Sequence, residues 1–178
     1  MKILTASQHV LKNLRRAAAL CPLMILAVIA AEGLQHVVEY GLGMYESQAV
    51  FHTLQNHPAR LGFGIFKAII MLGACYMIAR NIASDTETPS KFGSFRADMI
   101  RKLWDPTFGF TGLLLSLMLA APLIFLHYKL SHLAMGHSAA PLILLLDSLV
   151  IGFLALVIGT SIWAGDKAEQ ELQIAPAS

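Results

Sequence analysis

Four apolar runs, at residues 17–45, 60–79, 107–128 and 140–163, fix most of what this chain can become. Each is about as long as, or longer than, the roughly 20 residues a helix needs to cross the hydrocarbon of a bilayer. Inside that hydrocarbon every backbone N–H and C=O must be satisfied by the chain itself, as a helix does. Composition agrees, with 56% of the 178 residues hydrophobic and 13% charged, where a soluble domain is about a quarter charged. Mean hydropathy is +0.63. The expected fold is all-α: one integral membrane domain over residues 1–178, with four transmembrane helices in a bundle.

The hydrophilic stretches divide by pattern. Residues 1–16 set Ile3, Leu4, Val10, Leu11 and Leu14 among Lys2, Lys12, Arg15 and Arg16, which predicts a short basic amphipathic helix. Val28-Ile29-Ala30 resembles a signal-peptide cleavage site, but the apolar run continues past it to Tyr45, which favours an uncleaved span. Residues 46–59 read as a loop and residues 84–90 as a linker rich in turn-forming residues. In residues 91–104 Phe92, Phe95, Met99, Ile100 and Leu103 recur at helical spacing among basic residues and end at Trp104, predicting an interfacial helix before the third span.

Lys and Arg set the orientation. In a four-span topology Lys2, Lys12, Arg15, Arg16, Arg80, Lys91, Arg96, Arg101, Lys102 and Lys167 fall on one side, and only Arg60 and Lys129 flank the other. The basic side is the cytoplasmic one, so both termini are expected there, in a bacterial-type inner membrane. Trp104 and Trp163 would mark one headgroup zone, and Tyr40, Tyr45 and Tyr128 the other. A net charge of +2 with basic residues beside apolar runs offers no nucleic-acid surface. The expected partners are the lipid bilayer and other membrane subunits or further copies of the chain.

Small residues predict where helices touch. Gly112, Ser116 and Ala120 make a small-xxx-small edge on the third span, and Ser148 with Gly152 makes another on the fourth. Cys21 and Cys75 lie inside apolar runs without a CxxC spacing, so they read as buried small hydrophobes. Laying the first span on the third with an offset of 91 pairs His36 with His127 and Met44 with Met135, a weak sign that two helical hairpins repeat.

Ionisable residues inside the runs carry the functional question. Glu32, His36 and Glu39 fall at i, i+4 and i+7, one stripe of a helix, and an unpartnered carboxylate there costs several kcal/mol. Lys67 lies about two turns into the second span and Asp147 inside the fourth. With His127 they predict a polar cluster, Glu32, His36, Glu39, Lys67, His127 and Asp147, opening to the outer side. The plainer reading is a set of interhelical ion pairs that only hold the bundle together.

Three sharper readings use the same residues. His36 and His127 could ligate a haem iron across the bundle. Glu32, His36 and Glu39, joined by His127 or His132, could hold a divalent metal, although the repeated Glu-x-x-His of helical di-metal bundles is absent. Lys67, Asp147 and the stripe could relay protons in a transporter or channel subunit. No specific functional motif is completed, so the sequence favours a non-catalytic accessory, assembly or small-ligand-binding membrane subunit over an enzyme, with a membrane redox protein or a proton-coupled transporter or channel subunit as the alternatives.

Overall fold

A computed structural model of the protein describes residues 2–85 and 110–174, and all regular structure among them is helical. Six helices follow in order: α1 (Lys2–Leu20), α2 (Pro22–Gly41), α3 (Gln48–Leu54), α4 (Pro58–Asp85), α5 (Phe110–Ala134) and α6 (Ala140–Ile174). Four stretches are long and apolar enough to span a membrane, at Pro22–Gly41, Pro58–Asp85, Gly112–Ala134 and Ala140–Ala168. This is the architecture of a helical membrane bundle. The interfacial helix expected over residues 91–104 lies outside the described residues.

Burial is inverted relative to a soluble protein, and that inversion is the strongest physical argument for the membrane. Glu32 and Asp147 are completely buried, while Leu72 and Leu142 on the spans are 71% and 68% exposed. Water would make such a surface aggregate; hydrocarbon makes it the stable one.

Several boundaries differ from expectation for local reasons. The first span was expected over residues 17–45 but begins at Pro22, because α1 ends at Leu20 and a new helix starts there. Proline has no N–H to give the preceding turn and disfavours helical geometry at the residue before it, yet suits a first helical position. α1 thus takes in residues 17–20 and runs longer than the amphipathic segment expected over residues 1–16. The loop expected over residues 46–59 contains α3, whose first turn is capped by Ser47 accepting from the Val50 N–H. α4 continues through Ser84 and Asp85, residues expected in a linker.

The chain forms two compact units. The first comprises residues 1–22, 75–120 and 156–178. In it Ala6, Val10, Ala17 and Cys21 of α1 and its end are buried, a stripe at helical spacing, and Asn81 donates to the Cys21 sulfur. Arg16 pairs with Asp85. The expected small-residue edge is present: Ser116 and Ala120 are buried, and Gly112 lets α5 approach the Ser161 and Ile162 backbone of α6. Gly159 does the same against Cys75 and Ile78 of α4. Trp163, expected at an interface, is instead buried, edge-on to His9 at 6.1 Å between ring centroids.

The second unit comprises residues 23–74 and 121–155. Here α2 and α6 meet closely, Gly152 lying against Ile29 and Ile25, and Gly33 facing Ser148. α2 ends in a Schellman motif: the Gly43 N–H donates to Tyr40 O, the Met44 N–H donates to Glu39 O, and Gly43 takes the required left-handed conformation at φ +73°. The motif turns the chain back so that Tyr45 returns over α2. Gly136, at φ +69°, closes the other loop and donates its N–H to Tyr45 O at 2.7 Å. Tyr45 then packs on Ala134, Ala140 and Leu144.

Candidate functional site

Glu32, His36, Glu39, Lys67, His127 and Asp147, the residues expected to form a polar cluster, all lie in the second unit. α2 contributes Glu32, Gln35, His36 and Glu39; α4 contributes Arg60 and Lys67; α5 contributes His127 and Ser131; α6 contributes Asp147. The i, i+4, i+7 stripe puts Glu32, His36 and Glu39 on one buried face.

Asp147 is the centre of the network. Its carboxylate takes His36 Nε2 at 3.1 Å, His127 Nδ1 at 2.9 Å and the Ser131 hydroxyl at 3.3 Å. Glu39 is equally well supplied, accepting from Gln35 Nε2 at 2.8 Å, Arg60 Nε at 2.9 Å and the Tyr45 hydroxyl. Glu32 is not. The Lys67 ammonium stands 2.9 Å from Oε2, an ion-pair contact rather than an aligned hydrogen bond, and Oε1 has no donor among the described residues. His36 Nε2 is the neighbour of Oε1, at 3.4 Å.

Protons can be counted from these contacts. The single Tyr45 hydroxyl hydrogen goes to Glu39, so at 2.9 Å His36 Nδ1 must donate to the Tyr45 oxygen. His36 Nε2 then faces two carboxylate oxygens, which requires a second proton, on the imidazole or shared with Asp147. Charge counting gives the same answer. Three carboxylates stand against one ammonium and one guanidinium, leaving one negative charge that this proton balances. A buried cluster tolerates such a net charge poorly, and the shared proton relieves it.

Tyr45 lies beyond the spanning part of α2 and is 5% exposed. Burial, followed by the negative charge of Glu39 beside it, pushes its phenol above the ordinary tyrosine range, so it stays a neutral donor. The sequence assigned Tyr45 to an aromatic belt, which Tyr40 and Tyr128, both 55% exposed, fit instead. The sequence also assigned Arg60 only to topology. Their position at the ends of apolar runs was the available signal, and it does not distinguish a headgroup anchor from a cluster member.

Three ligand atoms, one each from Glu32, His127 and Asp147, lie within 4.8 Å of one another. His36 adjoins this group through Asp147 and Glu32. Glu39 is occupied by its own donors, and His132 lies against Tyr128, 4.3 Å between ring centroids. Beside His36 an apolar cavity of about 400 Å³ opens between α2 and α6, lined by Gly33, Val37, Tyr40, Leu144 and Ser148. His127, bonded to Asp147, has 28% of its side chain exposed, against 6% for His36.

No known protein family matches the chain, and neither the curated proteins nor the solved structures yield a match.

Proposed function

We propose that this protein is a non-catalytic, multi-pass membrane subunit of a bacterial-type inner membrane, both termini cytoplasmic, whose buried cluster binds a small cation. The observation that carries the reading is the unequal supply of donors. Glu39 and Asp147 are each met by three, while the wholly buried Glu32 keeps an oxygen with none and the fixed charges sum to minus one. A purely structural cluster gains nothing from an orphaned carboxylate oxygen, which costs about 1–3 kcal/mol or more. A cluster that accepts a cation needs one.

A proton is the simplest such cation, and the run Tyr45, His36, Asp147, His127 is continuous from a buried end to a partly exposed one. That observation supports a proton-coupled transporter or channel subunit as the second reading. The haem reading has less support, because both imidazoles turn to the same carboxylate rather than to facing positions across a haem. Lipid is the first partner, and the exposed apolar faces also suit other membrane subunits or a homo-oligomer.

The test is thermal unfolding of the detergent-purified chain against a panel of monovalent and divalent cations and against pH, with an absorption spectrum of the same sample. A cation that raises the midpoint for the natural chain and not for Asp147→Asn supports the reading. A haem spectrum, or unfolding indifferent to every cation and to pH, overturns it.

A further inference from the structure

The ion-binding reading leaves the ion open, and the donor set narrows it. One imidazole and two carboxylates suit zinc and its first-row neighbours; magnesium and calcium require mostly oxygen ligands in larger number. The three ligand atoms lie within 4.8 Å of one another. Closing by about an ångström would bring them to the spacing of ligands around one ion, each about 2 Å from the metal. Glu32 is completely buried; its Oε2 is paired with Lys67, and its Oε1 lacks a donor among the described residues and is free to take a ligand.

We propose that Glu32, His127 and Asp147 form a binding site for a late first-row divalent transition-metal ion, with Lys67 as the cation that the metal displaces. This rests on the ion-binding reading and sharpens it. Without the metal, the Lys67 ammonium neutralises Glu32, and its side chain is 22% exposed, so it can withdraw toward the headgroup zone when a dication arrives. The metal takes the place of the hydrogen between His127 Nδ1 and the Asp147 carboxylate. His127 must ligate as neutral imidazole, with its proton on Nε2. The proton shared by His36 Nε2 and Asp147 leaves, so uptake of one metal ion releases a proton. His36, left as a neutral imidazole, keeps its Nδ1–H on Tyr45, and its bare Nε2 no longer donates to Asp147.

The experiment is calorimetric titration of the full chain in detergent with zinc, in two buffers of different ionisation enthalpy, and with magnesium. Cobalt is added separately and read by its visible spectrum. The expected result is one zinc per chain with proton release, no magnesium binding, and a cobalt spectrum that His127→Gln abolishes. His127→Gln and Asp147→Asn should each weaken zinc binding on the order of tenfold to a hundredfold or more. Lys67→Met should tighten it, because the competing ammonium is gone, an effect that a merely structural lysine would not produce. His132→Gln should leave it unchanged. If His127→Gln fails to fold, Asp147→Asn and Lys67→Met carry the comparison. Zinc binding unaffected by both His127→Gln and Asp147→Asn overturns the site, as does equal binding of magnesium. If only protons or monovalent ions act on the cluster, through Asp147, the metal site falls and the ion-binding reading stands. If no ion acts, both fall.

Discussion

His36 Nε2 lies 3.1 Å from Asp147 Oδ2, a contact between the first and fourth spans across 111 residues of sequence. Through it the Glu39 and Tyr45 end of the cluster joins the His127 and Ser131 end. Removing Asp147 should therefore leave three donors, one buried and two half-buried, without an acceptor at once.

Asp147→Leu tests that directly. Three donors, from His36, His127 and Ser131, lose their acceptor, and the expected loss of stability is about 3 kcal/mol or more. Asp147→Asn keeps an acceptor oxygen and leaves two carboxylates against Lys67 and Arg60, a balance that needs no extra proton, so it should cost clearly less. Chemical unfolding in detergent micelles orders the two. Equal losses would mean that Asp147 acts by packing alone.

Tyr45 predicts a pH dependence at the alkaline end. Its phenol is raised in the folded protein, so below the ordinary tyrosine value of about 10 it is protonated whether the chain is folded or not, and the contribution to stability is complete. Above that, the unfolded chain releases the proton first, and folded stability falls as pH rises further. Tyr45→Phe should lower stability by about 1–3 kcal/mol at neutral pH, since Glu39 and His36 lose a partner, and should flatten the alkaline slope. Unfolding midpoints of both proteins between neutral and alkaline pH would show it; parallel slopes would refute the assignment.

Glycines at helix contacts make a contrasting pair of predictions. A Cβ on Gly159 would stand 2.8 Å from the Cys75 carbonyl oxygen, a backbone atom that cannot swing aside, whereas one on Gly64 meets nothing within 4 Å. Gly159→Ala should cost about 1–3 kcal/mol by overpacking. Gly64→Ala should be neutral or gain up to about 1 kcal/mol from helix propensity. Thermal midpoints of the two variants should move apart, and a common shift would contradict the close approach of α4 and α6.

The excess of Lys and Arg in one set of connections, ten residues against two, predicts that both chain ends are cytoplasmic. A reporter active only outside the cytoplasm, fused after Ser178, should stay silent. Activity there would reverse the orientation.

The spans were legible because length and apolarity alone decide whether a helix can cross a bilayer, and the Glu32, His36, Glu39 stripe was legible because helical periodicity is local. Asp147 as the meeting point of His36 and His127 was not. Lipid and helix interior are both apolar, so the spans carry no hydrophobic stripe from which their rotation about their axes could be read. The break before Pro22 and the Ser47 cap of α3 had their signals in sequence, but a run read for length alone passes over both. The turn that returns Tyr45 to His36 depends on Gly43 and on the pairing of Gly136 with Tyr45, which join two loops about ninety residues apart.

The charges of the cluster are partnered inside the protein rather than turned to the headgroups, and Lys67 with Glu32 is the pair that tests this most directly. The measurement is a double-mutant cycle of Lys67→Met and Glu32→Gln, read as unfolding free energy in micelles. Lys67→Met alone should cost up to about 3 kcal/mol, reduced by the 22% exposure of the lysine side chain, because it strands a wholly buried carboxylate. Adding Glu32→Gln should restore much of that loss, giving a coupling of about 1 kcal/mol or more. A coupling indistinguishable from zero would place the lysine among the headgroups and contradict the paired interior.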